Sequence, residues 1–293
     1  MGLLDRWFDE DRAESDGDAW SRSGAMALTG DWAGPVWRAE GDGPGRLVAA
    51  ARALEVLSTR RGHPVVVDGC ALLGERAALG GLQRQGSRSV GGLAEMVSAS
   101  DGWVAINLAR PADVDLLGAL VGRPVDPGDW PTVAAAIAAV SAADLVARAT
   151  DLGLPLARVP DVVPEVAGPA EVMVGGGRPV PSAPLVVELA GLWAGPLCGD
   201  LLARAGCRVI KLETRQRPDG ARRGNPRFFD LLNGGKESVV VDLDSVHDRT
   251  ALGHLLDTAD VVVDGSRARV MAPWGVDVDQ PVAGGTVWVS ITG

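Results

Sequence analysis

The chain has 293 residues, 46% of them hydrophobic and 23% charged, enough apolar material to bury a substantial core in one large domain or two smaller ones. Its net charge of -10 excludes a general nucleic-acid binder, which must attract a phosphate backbone, so any anion has to be gripped by a local cluster. The acidic N-terminal run MGLLDRWFDEDRAESDGD has no apolar core after a basic start, and no uninterrupted apolar run of about 18 residues follows. Neither a secretory signal nor a membrane span is expected, and the expected compartment is the cytoplasm.

Apolar residues at helical spacing from Arg46 to Arg60 predict a helix, stopped by Gly62 and Pro64, with PVVVD extended after it. Cys70 to Leu79 reads as a further helix and Gly102 to Leu108 (GWVAINL) as a strand. Trp130 to Gly153 predicts two helices, the second starting at Ser141, where S-A-A-D has the form of a capping box. Pro155 to Val159 closes this region as a strand. The stretch 162–183 (VVPEVAGPAEVMVGGGRPVPSA) is dense in Pro and Gly and reads as a linker between region 1–161 and region 184–293.

Beyond the linker the β-branched runs PLVVELA, CRVIKLE, SVVVDL, DVVVDG and TVWVSI are interleaved with helices predicted at Leu197–Ala205 and Ser245–Thr258. That alternation predicts an α/β fold, a parallel sheet with crossover helices, preceded by a helical small-domain half. The strands lack polar alternation, which predicts burial on both faces. The last strand ends at Ile291 and the sequence two residues later, so truncation or cover from another segment is expected.

Two stretches carry chemistry. The turn after the first parallel strand, Gly191-Leu192-Trp193-Ala194-Gly195-Pro196, puts small residues at the start of a helix, where backbone N–H groups can meet an anion. The other reading is a tight turn that only packs helix on strand. The spacing of Gly191, Gly195 and Gly199 departs from the dinucleotide fingerprint, so a nicotinamide site is not expected. From Lys211 to Lys236, Lys211, Arg215, Arg217, Arg222, Arg223, Arg227 and Lys236 outnumber Glu213, Asp219 and Asp230. Arginines there can grip phosphate, or simply form a solvated face. Cys70, Cys198 and Cys207 lack C-x-x-C spacing, and His247 and His254 stand too far apart to chelate one ion, so no metal site is expected.

The run PLVVELAGLWAGPLCGDLLARAGCRVIKLE, followed by RPDGARRG, FFDLLNGGKESVVVDLDS, ADVVVDGSRARVMAPWGVD and VWVSITG, closely resembles the start of family III CoA-transferases. The first half resembles the middle and small domain of the same family, in permuted order: SGAMALTGDWAGPVWRAEGDGPGRLVAAARALEVLSTRRGHPVVVDG, SASDGWVAINLARPADVDLLGALVG and ATDLGLPLARVPDV. The resemblance implies a Rossmann-like CoA-binding half and an acyl-CoA:carboxylate CoA-transferase, working through a carboxylate-bound acyl intermediate. CoA is then a substrate, with acyl-CoA and a small carboxylic acid as partners and an interlocked homodimer as the assembly. It also implies that Leu192, Trp193 and Ala194 lie along the CoA channel, that the basic loop with Arg215, Arg222 and Arg223 binds CoA, and that Lys236 and Arg267 lie near the nucleotide end. Pro273 stands where the family often has a phosphate-contacting arginine. The family's catalytic aspartate is expected past Gly293, leaving Asp42, in EGDGPG, as the matching carboxylate, with a helix-start aspartate as the other reading. An acyl-CoA racemase, or a non-catalytic subunit binding CoA esters, are the alternatives.

Overall fold

A computed structural model describes residues 16–36, 41–160, 177, 179–265 and 278–291. In chain order it holds α1 (Asp16–Arg22), α2 (Gly43–Arg60), α3 (Leu72–Gly80), β1 (Ala94–Ala99), β2 (Gly102–Asn107), α4 (Pro111–Asp115), α5 (Leu117–Val121), α6 (Trp130–Ala138), α7 (Ala142–Leu152) and β3 (Leu156–Val159). There follow β4 (Leu185–Leu189), α8 (Ala194–Arg204), β5 (Arg208–Thr214), α9 (Pro226–Asn233), β6 (Glu237–Val241), α10 (Val246–Thr258), β7 (Val261–Asp264), α11 (Asp279–Ala283) and β8 (Val287–Ser290). Packing divides them into two compact units. One takes residues 20–36 and 81–160; the other takes 42–80 together with the parallel sheet, so α2 and α3 group with elements that follow the linker.

The first unit is an antiparallel sheet in the order β1-β2-β3. Val97, Val104 and Ile106 pack with Leu117, Leu120, Val133, Ile137 and Leu145 in one core. The second of its long helices starts as predicted: the Ser141 hydroxyl accepts from the Asp144 amide at 3.1 Å, and Gly153, at φ 69°, ends the helix in the left-handed conformation that glycine adopts freely.

The second unit carries a five-stranded parallel sheet in the order β6-β5-β4-β7-β8. The predicted α/β class with a parallel sheet is borne out. Successive residues of β4 face opposite sides: Val186 joins a core with Val209, Val263 and Leu202 of α8, while Val187 joins Leu212, Val262 and the α10 residues Leu252 and Leu256. Two-sided burial holds for β4, β5 and β7 but not for the edges. In β6, Val239 and Val240 are exposed, and in β8 so are Val287 and Val289, because an edge strand has a neighbour on one side only. The extended PVVVD segment forms no ladder, although its Val65 is buried. Among the described residues no single helix is long and apolar enough to cross a membrane.

Candidate functional site

The strand order reverses at β4, whose neighbours are β5 on one side and β7 on the other. In open parallel sheets, ligands settle at the carboxyl ends of the strands where this reversal opens a crevice. Here that place is the turn from Ala190 to Trp193, which feeds directly into α8. Two glycines let the chain crowd together there. A methyl on Gly195 would overlap the Ala190 side chain, and one on Gly265, just after β7, would come within 3.1 Å of it. Trp193 occupies the N-cap of α8 without a side-chain cap, and the amides of Ala194 and Gly195 find no acceptor among the described residues. Unpaired N–H groups at a helix start suit an anionic oxygen.

Leu192 has φ 69°, the one positive value at a non-glycine position among the described residues, and the residue is 63% exposed. A leucine held in this region costs about 1–2 kcal/mol through the clash of its Cβ with the following carbonyl. Something must offset it. Behind the turn lies a buried charge network, absent from the sequence reading, built on Glu188 (0% exposed) in the middle of β4. Glu188 meets Lys211 of β5 at 3.0 Å and Lys236 at 2.6 Å. Lys211 Nζ also reaches Asp219 at 2.9 Å and donates to the Ala190 carbonyl at 3.1 Å. Asp219 Oδ1 accepts from the Leu192 and Ala221 amides, each at 2.9 Å. Burial pushes the Asp219 carboxyl up, but those two amides and Lys211 outweigh it and hold it below its ordinary value.

The basic loop is partly a structured element. Gly220–Arg223 is a short 3-10 turn capped by Asp219, and α9 follows, capped by Asn225 with Pro226 at its first position. Arg222 clasps Glu213, with Nε at 2.9 Å from Oε1, and its guanidinium lies 4.3 Å from the centre of the Phe229 ring. The Arg222 hydrogen bond is the largest influence holding Glu213 below the usual carboxylate range, against the upward push of burial. Lys236, with a side chain only 1% exposed, donates to Glu188, to the Pro196 carbonyl at 2.8 Å and to Asn233 at 3.1 Å, which leaves it no N–H for a phosphate. Burial, working against Glu188, lowers its pKa. Arg215 is exposed and only 3.6 Å from Asp242, and Arg223 is exposed with no ion pair among the described residues. Arg217 and Arg227 are exposed as well, so the loop turns Arg215, Arg217, Arg223 and Arg227 to solvent beyond the end of β5. Trp193 rests edge-on against Phe228 of α9, the ring centres 6.2 Å apart. Arg267 and Pro273 lie outside the described residues.

Asp42 is the N-cap of α2: its Oδ1 accepts from the Gly45 amide at 3.0 Å. His63 packs against Gly206, and His247 and His254 are exposed on α10. None of the three cysteines forms a disulfide, and burial raises the pKa of the Cys198 and Cys207 thiols. No group of three or more metal-binding side chains occurs among the described residues. An apolar cavity of about 290 Å³ lies at the amino ends of the strands, lined by Leu54, Leu57, Leu202, Cys207 and Val261, remote from the turn.

Residues 184–283, which hold the turn, the network and the basic loop, match the family model of CoA-transferase family III, so the resemblance read from the sequence is borne out over that segment. Individual relatives agree. The succinate–glutarate CoA-transferase of Agrobacterium fabrum is 32% identical over 115 residues, 35% of this chain and 29% of that protein. The succinyl-CoA:mesaconate CoA-transferase of Haloarcula hispanica is 38% identical over 99 residues, 29% of this chain and 24% of the other. The alpha-methylacyl-CoA racemase of Homo sapiens is 38% identical over 86 residues, 29% and 20% of the two chains. The match thus spans less than a third of each relative's length.

Proposed function

We propose that the β4–α8 turn binds the CoA moiety of an acyl-CoA and that the protein moves CoA from that donor to a small carboxylic acid. One observation carries the reading: the segment matched to CoA-transferase family III has its strand-order reversal, its uncapped helix start and its solvent-facing arginines at one sheet edge. In this assignment Leu192 and Trp193 line the channel, the amides at Ala194 and Gly195 face an anionic oxygen, and Arg215 and Arg223 meet phosphate. Lys236 supports the site from within through Glu188, and Arg222, its side chain 45% exposed, supports it from the surface through Glu213. Arg267 is assigned to the nucleotide end by resemblance alone.

The chemistry implied is carboxylate attack on the thioester carbonyl: a C–O bond forms, the C–S bond breaks, and CoA leaves as the thiolate. The thiolate then attacks the enzyme-side carbonyl of the anhydride, forming an enzyme–CoA thioester and releasing the donor's acid; the acceptor carboxylate displaces CoA from that thioester, and the returning thiolate takes the acceptor's acyl group and frees the enzyme carboxylate. Asp42 is the carboxylate of this chain assigned to that attack. A cytoplasmic homodimer is the assembly proposed. Thermal shift with CoA and acetyl-CoA tests the binding step, and stabilisation growing with the logarithm of ligand concentration is expected. No stabilisation by either would overturn the proposal. The match to the racemase favours a second reading, in which 2-methylacyl-CoA exchanges its α-proton in D₂O without acyl transfer.

A further inference from the structure

The two parts of the proposed CoA site, the turn at Leu192 and the loop bearing Arg223, lie far apart in sequence yet share one carboxylate. Asp219 Oδ1 accepts at once from the Leu192 amide, 27 positions upstream, and from the Ala221 amide that opens the 3-10 turn. Its other oxygen lies 2.9 Å from Lys211 Nζ, and its own amide donates to Glu213 at 2.7 Å. The carboxylate is held by two amides on Oδ1 and by the ion pair with Lys211 on Oδ2, while the leucine it holds sits in a backbone conformation that leucine disfavours. Gly191 fits this arrangement, since a methyl there would come within 3.1 Å of Asp219 Oδ1. Lys211 ties the same point to the end of β4 through the Ala190 carbonyl.

From this geometry we infer that Asp219 is a positioning residue: it locks Leu192 in the left-handed conformation and couples the turn to the arginine-bearing loop. The inference rests on the CoA reading for its consequence, but the lock itself is a property of the free protein. Asp219 does not touch the ligand. It acts through the Leu192 amide.

The test is a double-mutant cycle with free CoA as the probe, read by calorimetric titration, together with amide exchange of the segment 189–195 in the free protein. Asp219→Ala is expected to weaken CoA binding by about tenfold and to remove protection at the Leu192 amide. In the Leu192→Gly background, where the backbone adopts positive φ unaided, the same change should cost no more than about threefold. A merely structural role for Asp219 predicts equal losses in the two backgrounds, and that result would overturn the lock. So would unchanged protection at Leu192 in Asp219→Ala. Should Asp219→Ala fail to fold, Asp219→Asn replaces it: a neutral acceptor holds the amide less firmly, so exchange at Leu192 should quicken, and wild-type exchange would count against the lock. If the wild type takes up no CoA, the binding reading fails while the exchange comparison still decides the lock.

Discussion

Replacing Lys211 by Met is the sharpest probe of the buried network. The lysine side chain is 2% exposed and its ammonium serves Glu188 at 3.0 Å, Asp219 at 2.9 Å and the Ala190 carbonyl at 3.1 Å. Methionine follows the aliphatic stem, so little cavity is left, and the loss is electrostatic. Glu188 keeps Lys236 as a partner, but Asp219 becomes a buried carboxylate without a cation. Breaking one member out of such a network costs about 3–5 kcal/mol. With a urea m-value of about 2 kcal/mol/M, the midpoint should fall by about 2 M at unchanged slope. Lys211→Met combined with Asp219→Asn should recover part of this, since the stranded charge is gone. A midpoint within about 0.5 M of wild type would refute the reasoning.

The same network fixes the acid limb. Asp219 and Glu213 have folded pKa values below their unfolded ones, so their stabilisation is complete above the ordinary carboxylate value of about 4 and is lost as pH falls through the lowered values. In Lys211→Met one downward influence on Asp219 is removed, and its share should be lost at a higher pH.

Asp42→Ala should cost about 1 kcal/mol by uncapping α2, whereas Asp42→Asn should keep stability; abolition of CoA transfer by Asp42→Asn would mark the carboxylate as nucleophile, and full turnover would remove it from that role. Arg215→Ala with Arg223→Ala should weaken CoA about tenfold and flatten the salt dependence of binding, and calorimetry at low and high salt checks both. Gly199→Ala would drive a methyl into Glu188 Oε2 and within 3.0 Å of Lys236 Nζ; a loss of about 1–3 kcal/mol is expected in urea melts, and a neutral result would show that β4 and α8 can separate at little cost.

The parallel sheet was legible because its inner strands are buried on both faces and read as short β-branched runs, and the start of α7 because Ser141 announces it. β1 was not, since AEMVSA lacks a clear alternation and its place is fixed by pairing with β2. Helix α9 was hidden inside a stretch read for its charges, although Asn225, Pro226 and the apolar spacing of Phe228 and Leu232 signal it. The site divided in the same way. Glycine spacing and local basic excess pointed to the carboxyl edge of the sheet, but which cations face solvent there depends on partners far away in sequence. Glu188 and Lys211, each set in the middle of an apolar strand, were the signal that several of these charges answer one another.

The position of β4 has a consequence for how the chain matures. It is the earliest of the five strands to leave the ribosome, yet it ends at the centre, and the Leu185 amide finds its acceptor in Asp260, 75 residues downstream. One flank of β4 can pair with β5 early, but the other stays open until β7 has been made, so the turn at Leu192 takes its final form late, after a long loop has been drawn shut. Refolding of this unit should therefore be governed by distant pairing, and a substitution in β7 can delay the appearance of ligand binding without touching any group that meets the ligand.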